Sequence, residues 1–169
     1  MRHRILHRNK FLTILITVAM ALACCNRTTV YHQYKHISPE GWNRTDTLYF
    51  HISTAKERVL LHEELELRTT CHYPFTNLSL IVEQIIYPSH TDTTFYSSQN
   101  VRRVDTLNCC LIDKNGLTTG KGINYIQNHF QLADIGINKG DSIDIIVHHN
   151  MRKEVLHGIA DIGIRITSN

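Results

Sequence analysis

No stretch of this 169-residue chain is apolar for the roughly 20 residues that a permanent membrane-spanning helix needs. The clearest run, Phe11 to Ala23, holds 13. Signatures of nucleotide and acyl-transfer chemistry are missing too, since there is no Gly-x-Ser-x-Gly elbow, no phosphate-binding loop and no dinucleotide fingerprint. Gly120-Lys121-Gly122 is too short to cradle a phosphate alone and reads as a turn. The chain has no internal repeat, no low-complexity tract and, past its N-terminal head, no helical stripe. Basic residues give no nucleic-acid footprint: the head holds four (Arg2, Arg4, Arg8, Lys10), leaving 14 Lys and Arg of 18 against 15 Asp and Glu.

What is present begins with that head. Basic residues, a short apolar run and then Cys24 and Cys25 have the layout of a secretion signal ending in a cysteine. Cleavage after residue 23 would leave an N-terminal cysteine that carries lipid. Cys24 is the expected anchor because Ala23 puts a small residue at the bond; Cys25, with Leu22 better placed, is the alternative. Residues 24–41 are polar and carry Pro39 and Gly41, so they read as anchor and tether. Tyr31 and Tyr34 imply that part of this tether packs on the body.

From residue 42 to 169 the apolar positions alternate with period two: Leu48, Phe50, Ile52; Leu65, Leu67; Leu78, Leu80, Val82; Ile143, Ile145, Val147; Ile162, Ile164, Ile166. Such spacing places every second side chain on one sheet face. Turn residues punctuate the runs at Tyr73-Pro74, Asp113-Lys114-Asn115-Gly116 and Asn138-Lys139-Gly140-Asp141. The expected fold is all-β, an antiparallel β-sandwich of jelly-roll or immunoglobulin-like type. About 145 residues remain after the signal, enough for one domain with its own core.

Candidate sites are sparse. His62-Glu63-Glu64-Leu65-Glu66 lacks the second histidine of a zinc-protease helix. On a strand, Glu64 and Glu66 share a face about 6.6 Å apart, within reach of paired-acid chemistry, but a solvated outer face opposite Leu65 and Leu67 is the plainer reading. His148 and His149 are adjacent and point to opposite faces, so they do not share an ion. No metal site, cofactor or catalytic residue is expected. Of the cysteines after the signal, Cys71, Cys109 and Cys110, an oxidising compartment permits one disulfide and leaves one thiol over; buried thiols are the alternative.

Several elements occur in an order similar to one known family. They are Val30-Tyr31-x-x-Tyr34, Trp42, Tyr73-Pro74-Phe75-x-Asn77-Leu78-x-Leu80, Gly120-Lys121-Gly122, His149-x-Met151-Arg152 and the ending Leu156-x-Gly158-Ile159-x-Asp161-Ile162-Gly163-Ile164-Arg165-Ile166. Together they resemble the gliding-motility lipoprotein GldH family of Bacteroidota; Leu117, where an aromatic residue is expected, and Cys109-Cys110 depart from it. The resemblance implies a non-enzymatic, lipid-anchored envelope protein, accessory to the gliding machinery that also supports type IX secretion. It implies other envelope proteins as partners, with Tyr73, Phe75, Met151 and Arg152 as candidate docking residues and no nucleic acid. No acidic pair follows the cysteines, which points to an outer-membrane protein facing the periplasm. Asp161 and Arg165 share a strand face and are expected to form a fold-stabilising polar cluster, with a docking patch as the alternative and Arg152 as a candidate third member. The competing function is carbohydrate binding, with Trp42 and exposed tyrosines as stacking platforms.

Overall fold

The computed structural model describes residues 28–53, 55–89 and 100–168. The signal region, Cys24 and Cys25 lie outside them. Eleven strands follow one another: β1 (Thr28–His36), β2 (Trp42–Asn43), β3 (Leu48–Ile52), β4 (Val59–Thr70), β5 (Asn77–Tyr87), β6 (Val101–Cys110), β7 (Tyr125–Gln131), β8 (Ile135–Ile137), β9 (Ser142–His149), β10 (Val155–Leu156) and β11 (Ile159–Ser168). Every pairing is antiparallel.

Two sheets carry the fold. One runs β1-β11-β4-β7, with β8 also on β4; the other runs β3-β9-β5-β6. Setting aside the short β2, β8 and β10, the remaining strands read 1-8-3-6 and 2-7-4-5 in chain order. This is one long antiparallel hairpin, with β1 on β11, β3 on β9, β4 on β7 and β5 on β6, wrapped into a sandwich. The small β2–β10 pair lies on the same hairpin path. Such wrapping is the jelly roll, so the topology decides between the two expected sandwich types.

The alternating positions fill the space between the sheets. Leu61, Leu65 and Leu67 of β4 and Ile162, Ile164 and Ile166 of β11 are buried, as are Phe50, Ile52, Leu78, Leu80, Val82, Ile143, Ile145 and Val147 of the second sheet. Each such side chain contributes about 1.5–3 kcal/mol by leaving water. The expected turns form as read: Asp113 Oδ1 accepts the N–H groups of Asn115 (2.8 Å) and Leu117 (2.9 Å), and the buried Asp141 accepts that of Asn138 (2.9 Å).

Residues 28–36, assigned to the tether by their polarity, form β1 and pair with β11 from Thr28↔Ser168 to His36↔Asp161. The folded domain therefore starts well before residue 42. An edge strand with only one neighbour and an outward polar face has little need of apolar residues, which explains its tether-like composition. Cys71 and Cys110 are exposed and Cys109 is buried, all three as free thiols. Burial pushes the Cys109 thiol up to about 12, which makes it inert packing.

Candidate functional site

The outward face of the β1-β11-β4-β7 sheet carries the densest polar constellation among the described residues. Alternation on β4 sends Glu64, Glu66 and Arg68 outward, register on β11 adds Asp161, Gly163 and Arg165, and β7 supplies Gln127 and His129. From the edge, β1 lays His32 and Tyr34 over them. Tyr34 sits opposite Gly163, and its ring reaches across β11 so that its hydroxyl donates to Glu66 Oε2. Gln127 Nε2 donates to the Tyr34 oxygen at 3.0 Å, and the Arg68 guanidinium stacks 3.9 Å from the ring centroid.

Glu66 is the centre of this network. Its side chain is only 2% exposed, with His32 Nε2 at 2.9 Å from Oε2. Burial alone would raise its carboxyl, but the hydrogen bonds from Tyr34 and His32 and the nearby imidazoles hold it below the ordinary glutamate value. The carboxylate consequently stays ionised at neutral pH. Tyr34, half-buried beside that charge, has its phenol pushed up to about 12. The expectation that Glu64 and Glu66 share a face holds; that face is not solvated at Glu66, because Tyr34 and His32 roof it.

Asp161 and Arg165 do lie on this face. The cation beside Asp161 is Arg68, with Nη1 at 3.7 Å, while Arg165 Nη1 lies 3.9 Å from Glu64. Arg152 sits instead in the exposed link between β9 and β10.

Tyr73, Phe75 and Met151 are half-buried wedges against the core. The Tyr73 and Phe75 rings meet edge to face at 5.7 Å, and the Tyr73 hydroxyl donates to the Asn77 carbonyl at 3.0 Å. Met151 Sδ accepts the Ser79 N–H at 3.4 Å. Gly158, at φ +88°, leaves no room for a Cβ, which would lie 2.7 Å from the Tyr73 backbone. Of the four candidate docking residues only Arg152 is exposed.

Trp42 is 1% exposed, and its Nε1 donates to the Asp46 carbonyl at 3.1 Å, so it is no sugar platform. Its ring meets His149 edge-on at 5.4 Å. His148 and His149 diverge as adjacent strand residues must, one half-exposed and one buried.

Nothing in composition announced His32, Arg68, Gln127 or His129. Tyr34, the Glu64/Glu66 pair and Asp161 with Arg165 left a trace in the sequence, as an aromatic residue in a polar segment, as two acids two apart and as an acid and a base four apart on the last strand.

These features define a jelly-roll domain whose one outer face is interlocked by charges and capped by its first strand. The sequence between β1 and β11 places it more closely. The chain belongs to the GldH lipoprotein family, whose model matches residues 29–166. It is 25% identical over 160 residues to the gliding motility lipoprotein GldH of Flavobacterium johnsoniae, a match that covers 90% of this chain and 93% of that one. Among solved structures, it is similar to tripeptidyl peptidase 2 (TM-score 0.43, 8% identity, 81% of this chain and 10% of that one). An aminopeptidase from a marine-sediment Thaumarchaeota archaeon gives a TM-score of 0.37 at 9% identity, over 85% of this chain and 31% of that one. The chain spans a small part of both peptidases, and similarities this shallow carry nothing about activity.

Proposed function

We propose that this chain is a non-catalytic, lipid-anchored envelope subunit, accessory to gliding motility and to the type IX secretion machinery, and held at the outer membrane facing the periplasm. The observation that carries the proposal is the family match from residue 29 to 166, which spans nearly the whole described jelly roll, together with a relative named for gliding motility. The chemistry of the domain supports a non-catalytic role. Of Glu64 and Glu66, the acids best placed for hydrolysis, Glu66 is buried and engaged by Tyr34 and His32, and Glu64 lies beside Arg165. Glu63 is sealed in the core.

Carbohydrate binding has less support. With Trp42 buried, the exposed aromatics include Tyr49 on β3 and Tyr125 on β7, which belong to different sheets and form no shared platform.

The test is affinity purification of the full-length lipidated protein from its own envelope. Other envelope proteins are expected to co-purify with the wild type and to be reduced by Arg152→Glu at unchanged melting behaviour. Glu64→Gln with Glu66→Gln should leave any motility function intact. Glycan or peptide hydrolysis by the purified protein, abolished by that double change, would overturn the proposal.

A further inference from the structure

Glu64 and Glu66 from β4 and His129 from β7 converge on one point of the outer face, with one ligand atom from each lying within 4.8 Å of the others. His129 Nδ1 is 3.4 Å from Glu64 Oε1 and 3.6 Å from Glu66 Oε1. Those separations exceed the roughly 2.7–3.2 Å of a good N–H···O bond. They match another geometry: nitrogen and oxygen ligands about 2.0–2.2 Å from a tetrahedral zinc-class ion stand roughly 3.3–3.6 Å apart.

The state of Glu66 is an independent pointer. Its Oε2 is engaged by Tyr34 and His32, which fixes the carboxylate plane. No hydrogen bond from the described residues reaches its Oε1, whose neighbours are His129 Nδ1 and, at 4.0 Å, Arg165 Nη1. A carboxylate 98% buried, oriented through one oxygen and open at the other toward an imidazole and a second carboxylate, is a ligand held ready by its outer shell.

We propose that Glu64, Glu66 and His129 bind a divalent first-row ion of the zinc class, with a fourth position left to water. Arg165 is the resident cation. At 41% exposure it can swing away, and its charge opposes the ion. His32 and Tyr34 act as positioning residues on Glu66. The proposal stands apart from the docking role, because it is read on the isolated protein and its failure would leave the co-purification result untouched.

The experiment uses full-length protein in detergent, stripped with a chelator, then titrated with Zn²⁺ alone by calorimetry and with Co²⁺ followed by visible absorption. One strong equivalent, tetrahedral Co²⁺ bands and a raised melting temperature with Zn²⁺ are expected. Glu64→Gln and His129→Ala should each weaken binding by at least about tenfold. Arg165→Met, which removes no ligand, should tighten it. A strong site that survives His129→Ala would place the ion elsewhere and overturn the proposal. So would absent uptake by both the wild type and Arg165→Met, each shown to melt cooperatively. If the ligand variants fail to fold, tightening in Arg165→Met still supports the site and its absence still counts against it.

Discussion

Tyr34 lies flat across β11 at Gly163, so close that a Cβ on the glycine would come within 2.7 Å of the ring carbons Cδ1 and Cε1. The ring thus touches a bare backbone at Gly163 and carries the Arg68 guanidinium 3.9 Å from its centroid. The hydroxyl thereby reaches Glu66 two strands away from its own. Gly163→Ala should lift the ring and cost about 1–3 kcal/mol, read by chemical denaturation. Combined with Tyr34→Ala the loss should be clearly less than additive, because the methyl then occupies vacated space. Full additivity would show that the ring does not depend on that glycine.

A second polar pair is sealed on the opposite side of β4. Glu63 is 1% exposed and accepts a hydrogen bond from Gln84 Nε2, while Glu63 Oε1 and Gln84 Oε1 are buried without partners among the described residues. Burial pushes the Glu63 carboxyl up to about 8, and the proton it then holds is the one donor that two partnerless oxygens lack. The folded state binds this proton more tightly than the unfolded chain does. Its contribution is therefore complete below about pH 4.5 and is lost as pH rises through about 8. Glu63→Gln supplies a permanent donor, so it should be near neutral at pH 4 and stabilising by on the order of a few kcal/mol at pH 8. Parallel stability–pH curves for wild type and variant would count against an acid held neutral.

How much of this was legible depends on whether a property belongs to one strand or to several. Alternation in Ile162, Ile164 and Ile166, or in Leu78, Leu80 and Val82, is a property of one strand, and each run is buried as read. β6 is exposed over most of its length, at Val101 and Val104 among others, so no alternating apolar signal marks it. β1 was hidden for a related reason, as a polar edge. The outer-face cluster needed sheet order, because His129 meets Glu66 only when β7 pairs with β4, and Tyr34 meets it only across β11. Sequence spacing holds no record of those neighbours. Glu63 was hidden by its own type, since a glutamate at an inward position of an otherwise regular run is read as a break in the pattern.

His149 offers a pH probe that reports on the chain's one tryptophan. Its Nδ1 faces the Met151 N–H at 3.4 Å and its Nε2 faces the Trp42 carbonyl at 3.2 Å, which assigns the neutral ring a proton on Nε2. A second proton would set two donors against each other. Burial holds this histidine below its ordinary value of 6.5. The unfolded chain therefore takes up the proton first, and stability falls as pH drops below about 6.5 until the folded ring also protonates. Trp42 emission should change along that same acid limb, and His149→Gln should move the limb; a midpoint identical in the variant would exclude His149 as its source.

The early start of β1 shortens the expected tether and sharpens a prediction about anchoring. Between Cys24, the expected site of acylation, and Thr28 lie three residues, so a lipid on Cys24 would be joined to the first strand by at most roughly 14 Å of chain. A domain on so short a lead would sit against the membrane surface. A single acyl chain would hold it only marginally, whereas several on one cysteine would hold it firmly. Mass spectrometry of the N-terminal peptide should show an acylated Cys24 as the first residue, and Cys24→Ser should release the protein from the membrane fraction. Lipidation that persists in that variant would move the anchor to Cys25, and an intact Met1 would remove the lipid anchor altogether. Lengthening the lead by about ten flexible residues after Cys25 should leave the protein in the membrane fraction while exposing β1 to added protease. Unchanged protection of β1 in the lengthened protein would mean that the strand is shielded by its pairing with β11 alone and not by the bilayer.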